Sequence, residues 1–142
     1  MSIFLGGTGS ANELHDYEEG NWTPTIYQGG WTISNTNAAK YTKIGKVVTI
    51  WLYMTVTGTG NGDDLILAGL PFGIEDNVYA TGAADMGKGG VKGVYARVEG
   101  HTTDRVGFYY SSENTSLSRI ALDANQIGAN YIIFSVSYAP TA

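Results

Sequence analysis

The chain has 142 residues, 43% of them apolar and only 15% charged, with a formal net charge of −5, which fits one folded domain and excludes a disordered acidic tail. Its eight basic residues are scattered, so no nucleic-acid partner is expected, because phosphate neutralisation needs clustered Lys and Arg. The absence of cysteine excludes disulfides, thiolate metal sites and a cysteine nucleophile.

Met1 to Gly7 lacks the basic region and apolar length of a secretory signal, so synthesis in a reducing cytoplasm is expected. No run approaches the ~20 apolar residues of a membrane-spanning helix, and no membrane insertion is expected. Gly6-Gly7-Thr8-Gly9 reads as a flexible lead-in. Ser10-Ala11-Asn12-Glu13 matches a capping box, in which Ser10 and Glu13 satisfy each other's backbone N–H, and predicts a short helical turn over 11–17 that stops before Gly20. Residues 1–20 are thus a glycine-rich arm with an acidic turn, and residues 21–142 a β domain.

Twenty glycines, three prolines and ten tyrosines make a composition of short strands punctuated by turns. Strands are expected over 22–27, 39–44, 46–57, 65–70, 78–83, 91–98, 105–110, 117–121 and 131–138. The clearest is 46–57. There Val48, Ile50, Leu52, Met54 and Val56 share one face, while Thr residues alternate with Trp51 and Tyr53 on the other. The first face is core; the second suits coverage by a second sheet, a loop or a neighbouring subunit. With no crossover helices between strands, the expected fold is all-β: an antiparallel β-sandwich or jelly roll.

Reactive motifs are scarce. Glu13, His15, Asp16, Glu18 and Glu19 do not converge at helical spacing and read as a solvated turn, and His101 lies in a loop with no second histidine near it in sequence; a pairing of His15 with His101 across the fold stays open. Gly82 to Lys88 satisfies G-x-x-x-x-G-K, but Gly89 replaces the Mg²⁺-binding hydroxyl and a strand follows, so no phosphate site is expected. Asn61-Gly62-Asp63-Asp64 lacks the ligand frame of a calcium loop, and no G-x-S-x-G appears. No catalytic residue, metal or cofactor is assigned.

The aromatic residues carry more weight. Trp22, Trp31, Tyr41, Trp51 and Tyr53 are the candidate aromatic surface, read first as core or subunit interface and second as stacking platforms for sugar rings. Tyr109, Tyr110 and His101 are candidate glycan contacts.

Three segments carry a family resemblance. Gly6 to Thr25, GGTGSANELHDYEEGNWTPT, is followed by Ala39 to Val48, AKYTKIGKVV, and by Leu67 to Phe72, LAGLPF. In that order they resemble a signature that opens a C-terminal module of bacteriophage tail-fibre and spike proteins. His15 departs from the pattern, which commonly has aspartate there, so no shared role attaches to this histidine. The resemblance implies a β-sandwich that trimerises and is exposed on the virion, with itself, capsid or tail proteins and host surface polysaccharide as partners, and it carries over no active site. As no fibre shaft is visible in the chain, a capsid cement or decoration trimer is the expected role. The receptor-binding head of a fibre or spike is the alternative, and a carbohydrate-active enzyme the third.

Overall fold

The computed structural model describes residues 3–4, 13–14, 16–86, 93–100, 104–111, 119–121 and 131–141. Among these, strands are the only regular elements: β1 (Ile3–Phe4), β2 (Glu13–Leu14), β3 (Tyr17–Asn21), β4 (Thr25–Gln28), β5 (Thr32–Ile44), β6 (Val47–Thr57), β7 (Ile66–Ala68), β8 (Tyr79–Met86), β9 (Tyr95–Gly100), β10 (Asp104–Ser111), β11 (Arg119–Ala121) and β12 (Tyr131–Tyr138). β1 and β2 pair antiparallel by themselves. The others form one antiparallel sheet in the order β3-β5-β6-β12-β8-β9-β10-β7-β4, with β11 continuing the edge of β10 beyond β7.

The connectivity forces this sheet to curl. Its two outermost strands, β3 and β4, are joined only by Trp22, Thr23 and Pro24. Three residues span at most about 11 Å, so the edges must come close together. The second device is β8, which changes neighbours along its length. Tyr79 to Ala83 pairs with β9, and Ala84 to Met86 pairs with β12. Gly82 sits at this corner. A Cβ there would lie on the Ser135 carbonyl oxygen, so only glycine lets β8 pass that close to β12.

The alternation of the chain decides what the curl encloses. Val48, Ile50, Leu52, Met54 and Val56 of β6 face inward with Ile132, Phe134, Val136 and Tyr138 of β12. They meet Ala96, Val98, Val106 and Phe108 from β9 and β10. Phe108 packs edge-on against Phe134 with ring centroids 5.6 Å apart, which joins the two wings of the sheet.

The strands expected from alternation are present, with shifted ends. Two segments differ from expectation. The helical turn over 11–17 is not seen: Glu13–Leu14 and Tyr17–Asn21 are strands. β3 is an edge strand whose register with β5 runs from Tyr17↔Ile44 to Asn21↔Lys40, and that ladder satisfies the backbone in place of helical hydrogen bonds. β5 is also longer than the expected 39–44 and begins at Thr32, with two register irregularities against β6, at Ile33/Asn35 and Thr36/Ala38. The bulges break the period-two pattern that would have marked it. Gly82 to Met86, the start of the phosphate-loop look-alike, lies within β8.

Candidate functional site

The three motif segments, far apart in sequence, come together at the seam where the curled edges meet. Trp22 is buried and donates its backbone N–H to the Ala39 carbonyl at 3.0 Å; its ring lies edge-on to Phe134, 6.4 Å between centroids. Gly69, at φ +88, packs so closely on the Thr23 carbonyl that a Cβ cannot be accommodated, which explains the glycine of the LAGLPF segment. The Tyr41 ring covers Gly20 and meets Phe72 edge-on at 5.2 Å. The Lys43 ammonium lies 5.8 Å from the centre of the same Phe72 ring.

Asp16, Glu18 and Glu19 of the first motif are tied down one by one. Lys43 donates to the Asp16 carboxylate at 2.5 Å, and the Gly45 N–H donates to the Asp16 carbonyl at 2.8 Å. The Tyr41 hydroxyl donates to Glu18 at 2.6 Å, and the Tyr17 hydroxyl donates to Glu19 at 2.7 Å. Because β3 is a strand, Glu18 and Glu19 point to opposite faces. Each phenol has its pKa raised, first by the hydrogen bond to its carboxylate. Among the described side chains of the cluster, Asp16, Glu18 and Glu19 are engaged in separate structural pairs with no shared centre. Among the described residues no group of three or more His, Asp and Glu side chains is placed to hold a metal. Asn61 and Asp63 bond to each other, with the Asp63 N–H donating to the Asn61 side-chain oxygen at 3.1 Å, as at a hairpin tip. His15 and His101 lie outside the described residues.

The aromatic candidates separate into two classes. Trp22 and Trp31 lie in the chain's own core at 6% and 8% exposure, in keeping with the first of the two readings, and neither offers a free ring as a stacking platform. Tyr41 is half-buried against Phe72. Trp51 and Tyr53 do stand outside, at 37% and 42% exposure. Register aligns them with unforeseen neighbours. Ile133 lies opposite Tyr53, and Tyr17, Ile44 and Val47 form the last row across β3, β5 and β6. Six of the eight exposed large hydrophobic residues described therefore share the outer face of β3-β5-β6-β12. Between them run Thr49, hydrogen-bonded to Ser137 at 2.7 Å, and a groove of about 340 Å³ beside Trp51 that Glu19, Asn21 and Lys40 border.

The other outer face, on β8-β9-β10-β7-β4, has different chemistry. The Arg97 guanidinium lies 4.4 Å from the Tyr79 ring centre and 5.6 Å from that of Tyr109. Tyr95 and Tyr109 stack at 5.8 Å with 28° between planes, and the Tyr109 hydroxyl donates to Glu99 at 2.7 Å. Burial first, then the Glu99 bond, pushes the Tyr109 phenol up to about 12. Tyr110 is one residue on and faces the core, so Tyr109 and Tyr110 cannot share one platform. The alternation of Val91 to Val98 put Tyr95 and Arg97 on a common face; no sequence signal placed Tyr79, Glu99 and Tyr109 beside them.

No family model, curated protein or solved structure matches the chain.

Proposed function

We propose that this chain is a non-enzymatic structural module of a bacteriophage virion, a sandwich-type β domain that assembles as a homotrimer through the outer face of β3-β5-β6-β12. The observation that carries the assembly is the concentration of Tyr17, Ile44, Val47, Trp51, Tyr53 and Ile133 on that one face. Exposed apolar side chains gathered on one face mark an interaction site, and the interleaved Thr and Ser suit an interface with both packing and hydrogen bonds. The phage assignment rests on the three motif segments, and their convergence at the seam supports reading them as architecture: Gly69 on Thr23, Tyr41 on Gly20 and Phe72, Lys43 on Asp16. A structural motif of that kind carries no active site with it.

As a capsid decoration protein, the trimer stabilises the shell by binding across capsomer joints, in proportion to the surface it buries there. As the head of a fibre or spike, it contacts the host. Labelling the chain on intact particles and comparing particles that lack it tests the assignment. Label on the capsid with loss of particle stability is expected. Label on the tail with loss of adsorption selects the fibre head, and particles carrying no label refute the virion assignment altogether.

A further inference from the structure

We propose that the outer face of β8-β9-β10-β7-β4 binds an oligosaccharide bearing carboxylate groups, with the Arg97 and Arg105 guanidiniums pairing with the carboxylates and the Tyr79 and Tyr27 rings receiving apolar sugar faces. The proposal uses the face opposite to the assembly surface and rests on no part of that reading.

Charge is the first argument. The chain is net −5, yet among the described side chains this strip holds two guanidiniums and one carboxylate, Glu99. Glu99 is already engaged by the Tyr109 hydroxyl and by the Arg97 Nε, 3.2 Å away. Arg97 keeps a further donor: its Nη1 is buried without a hydrogen-bond partner among the described residues. Such a donor is unfavourable when unfilled and makes a strong, directional bond to a carboxylate when filled. Tyr79, the ring layered on that guanidinium, is half exposed, so one side-chain rotation opens the way. Arg105 lies 3.3 Å over the centre of the half-exposed Tyr27 ring and has no ion-pair partner among the described residues.

Geometry is the second. The strip from Tyr79 to Tyr27 crosses five strands; at ~4.8 Å per step that is on the order of 19 Å, a track for a chain of sugars. The floor of the strip, the Tyr95–Tyr109 stack and the Arg97–Glu99 pair, is set before any ligand arrives, which leaves Tyr79 and Tyr27 as the side chains to be ordered on binding. The chemistry also separates this ligand from the alternatives. The exposed large hydrophobic residues here are Tyr27 and Tyr79 alone among those described, so the face lacks the aliphatic surface of a protein interface. Two guanidiniums around a carboxylate fall short of the run of cations that a nucleic-acid backbone needs.

The test is calorimetric titration of the full chain with a hexamer of galacturonic acid, its neutral methyl ester, polyglutamate and an oligothymidylate. Saturable binding of the uronate is expected, with the ester and each of Arg97→Gln and Arg105→Gln weaker by about tenfold or more. Lys46→Gln, which removes the same charge at the β5–β6 turn, should leave binding unchanged. If Arg97→Gln fails to fold, Arg105→Gln and Tyr27→Ser at the exposed end carry the decision. The proposal is overturned by absence of uronate binding, by equal binding of polyglutamate, by tighter binding of the oligothymidylate, or by variants that bind as well as the parent. Light scattering on the same samples reports assembly separately.

Discussion

Replacing Trp22 with alanine is expected to lower stability by about 3–5 kcal/mol, because the ring is buried at the seam against Phe134 and its truncation leaves a cavity there. Thermal or denaturant unfolding measures this, and a loss under about 1 kcal/mol would mean that the seam closes without it. Tyr109 and Tyr138 govern the alkaline limit. Burial is the largest influence on both, and both phenols are raised above the ordinary value of 10.0. A raised folded-state pKa means that the fold holds the proton more tightly than the unfolded chain does. The stabilisation is therefore complete below pH 10 and disappears as pH climbs from 10 toward about 12 for Tyr109. Tyr109→Phe should lower stability modestly at neutral pH, through loss of the Glu99 bond, and flatten the fall in Tm above pH 10. Parallel alkaline curves for the two proteins would show that Tyr109 is not part of that limit.

At the scale of elements, β8 is the most sensitive strand, because one half serves each wing of the sheet and Gly82 marks the change. Gly82→Ala must push β8 off the Ser135 carbonyl, so a loss of at least ~2 kcal/mol is expected, measured as a lower denaturant midpoint with cooperative unfolding retained. An unchanged midpoint would show that the corner is loose. The strands that alternation revealed, 46–57 and 131–138 above all, are those whose one face is entirely core. β3 was hidden because YEEGN has neither alternation nor strand propensity; its edge position beside β5, and the side-chain pairs to Lys43 and Tyr41, make it a strand. The first half of β5 was hidden for a related reason: Ser34 to Asn37 are all exposed, leaving only Ile33 and Ala38 partly buried, and the strand is bulged twice. Local sequence carried the core faces, and long-range pairing decided the rest.

For the whole molecule, one curled sheet with a shared core leaves two outer faces of unlike chemistry. Trp51 and Tyr53 were recognisable from alternation within β6. Ile133, Ile44, Val47 and Tyr17 joined them only through register, and the burial of Trp22 and Trp31 depended on how the edges close. If the apolar face meets sister copies, a charge placed at its centre should separate them without unfolding the chain, since Tyr53 makes no contribution to the enclosed core. The most direct measurement is multi-angle light scattering of the parent and of Tyr53→Glu across a range of concentrations, with circular dichroism of both. A mass three times the 15.1 kDa chain for the parent, falling to the single-chain mass in the variant with its β signal intact, is the expected result. A parent that stays at 15.1 kDa at every concentration, or a variant whose mass does not change, would contradict assembly through this face.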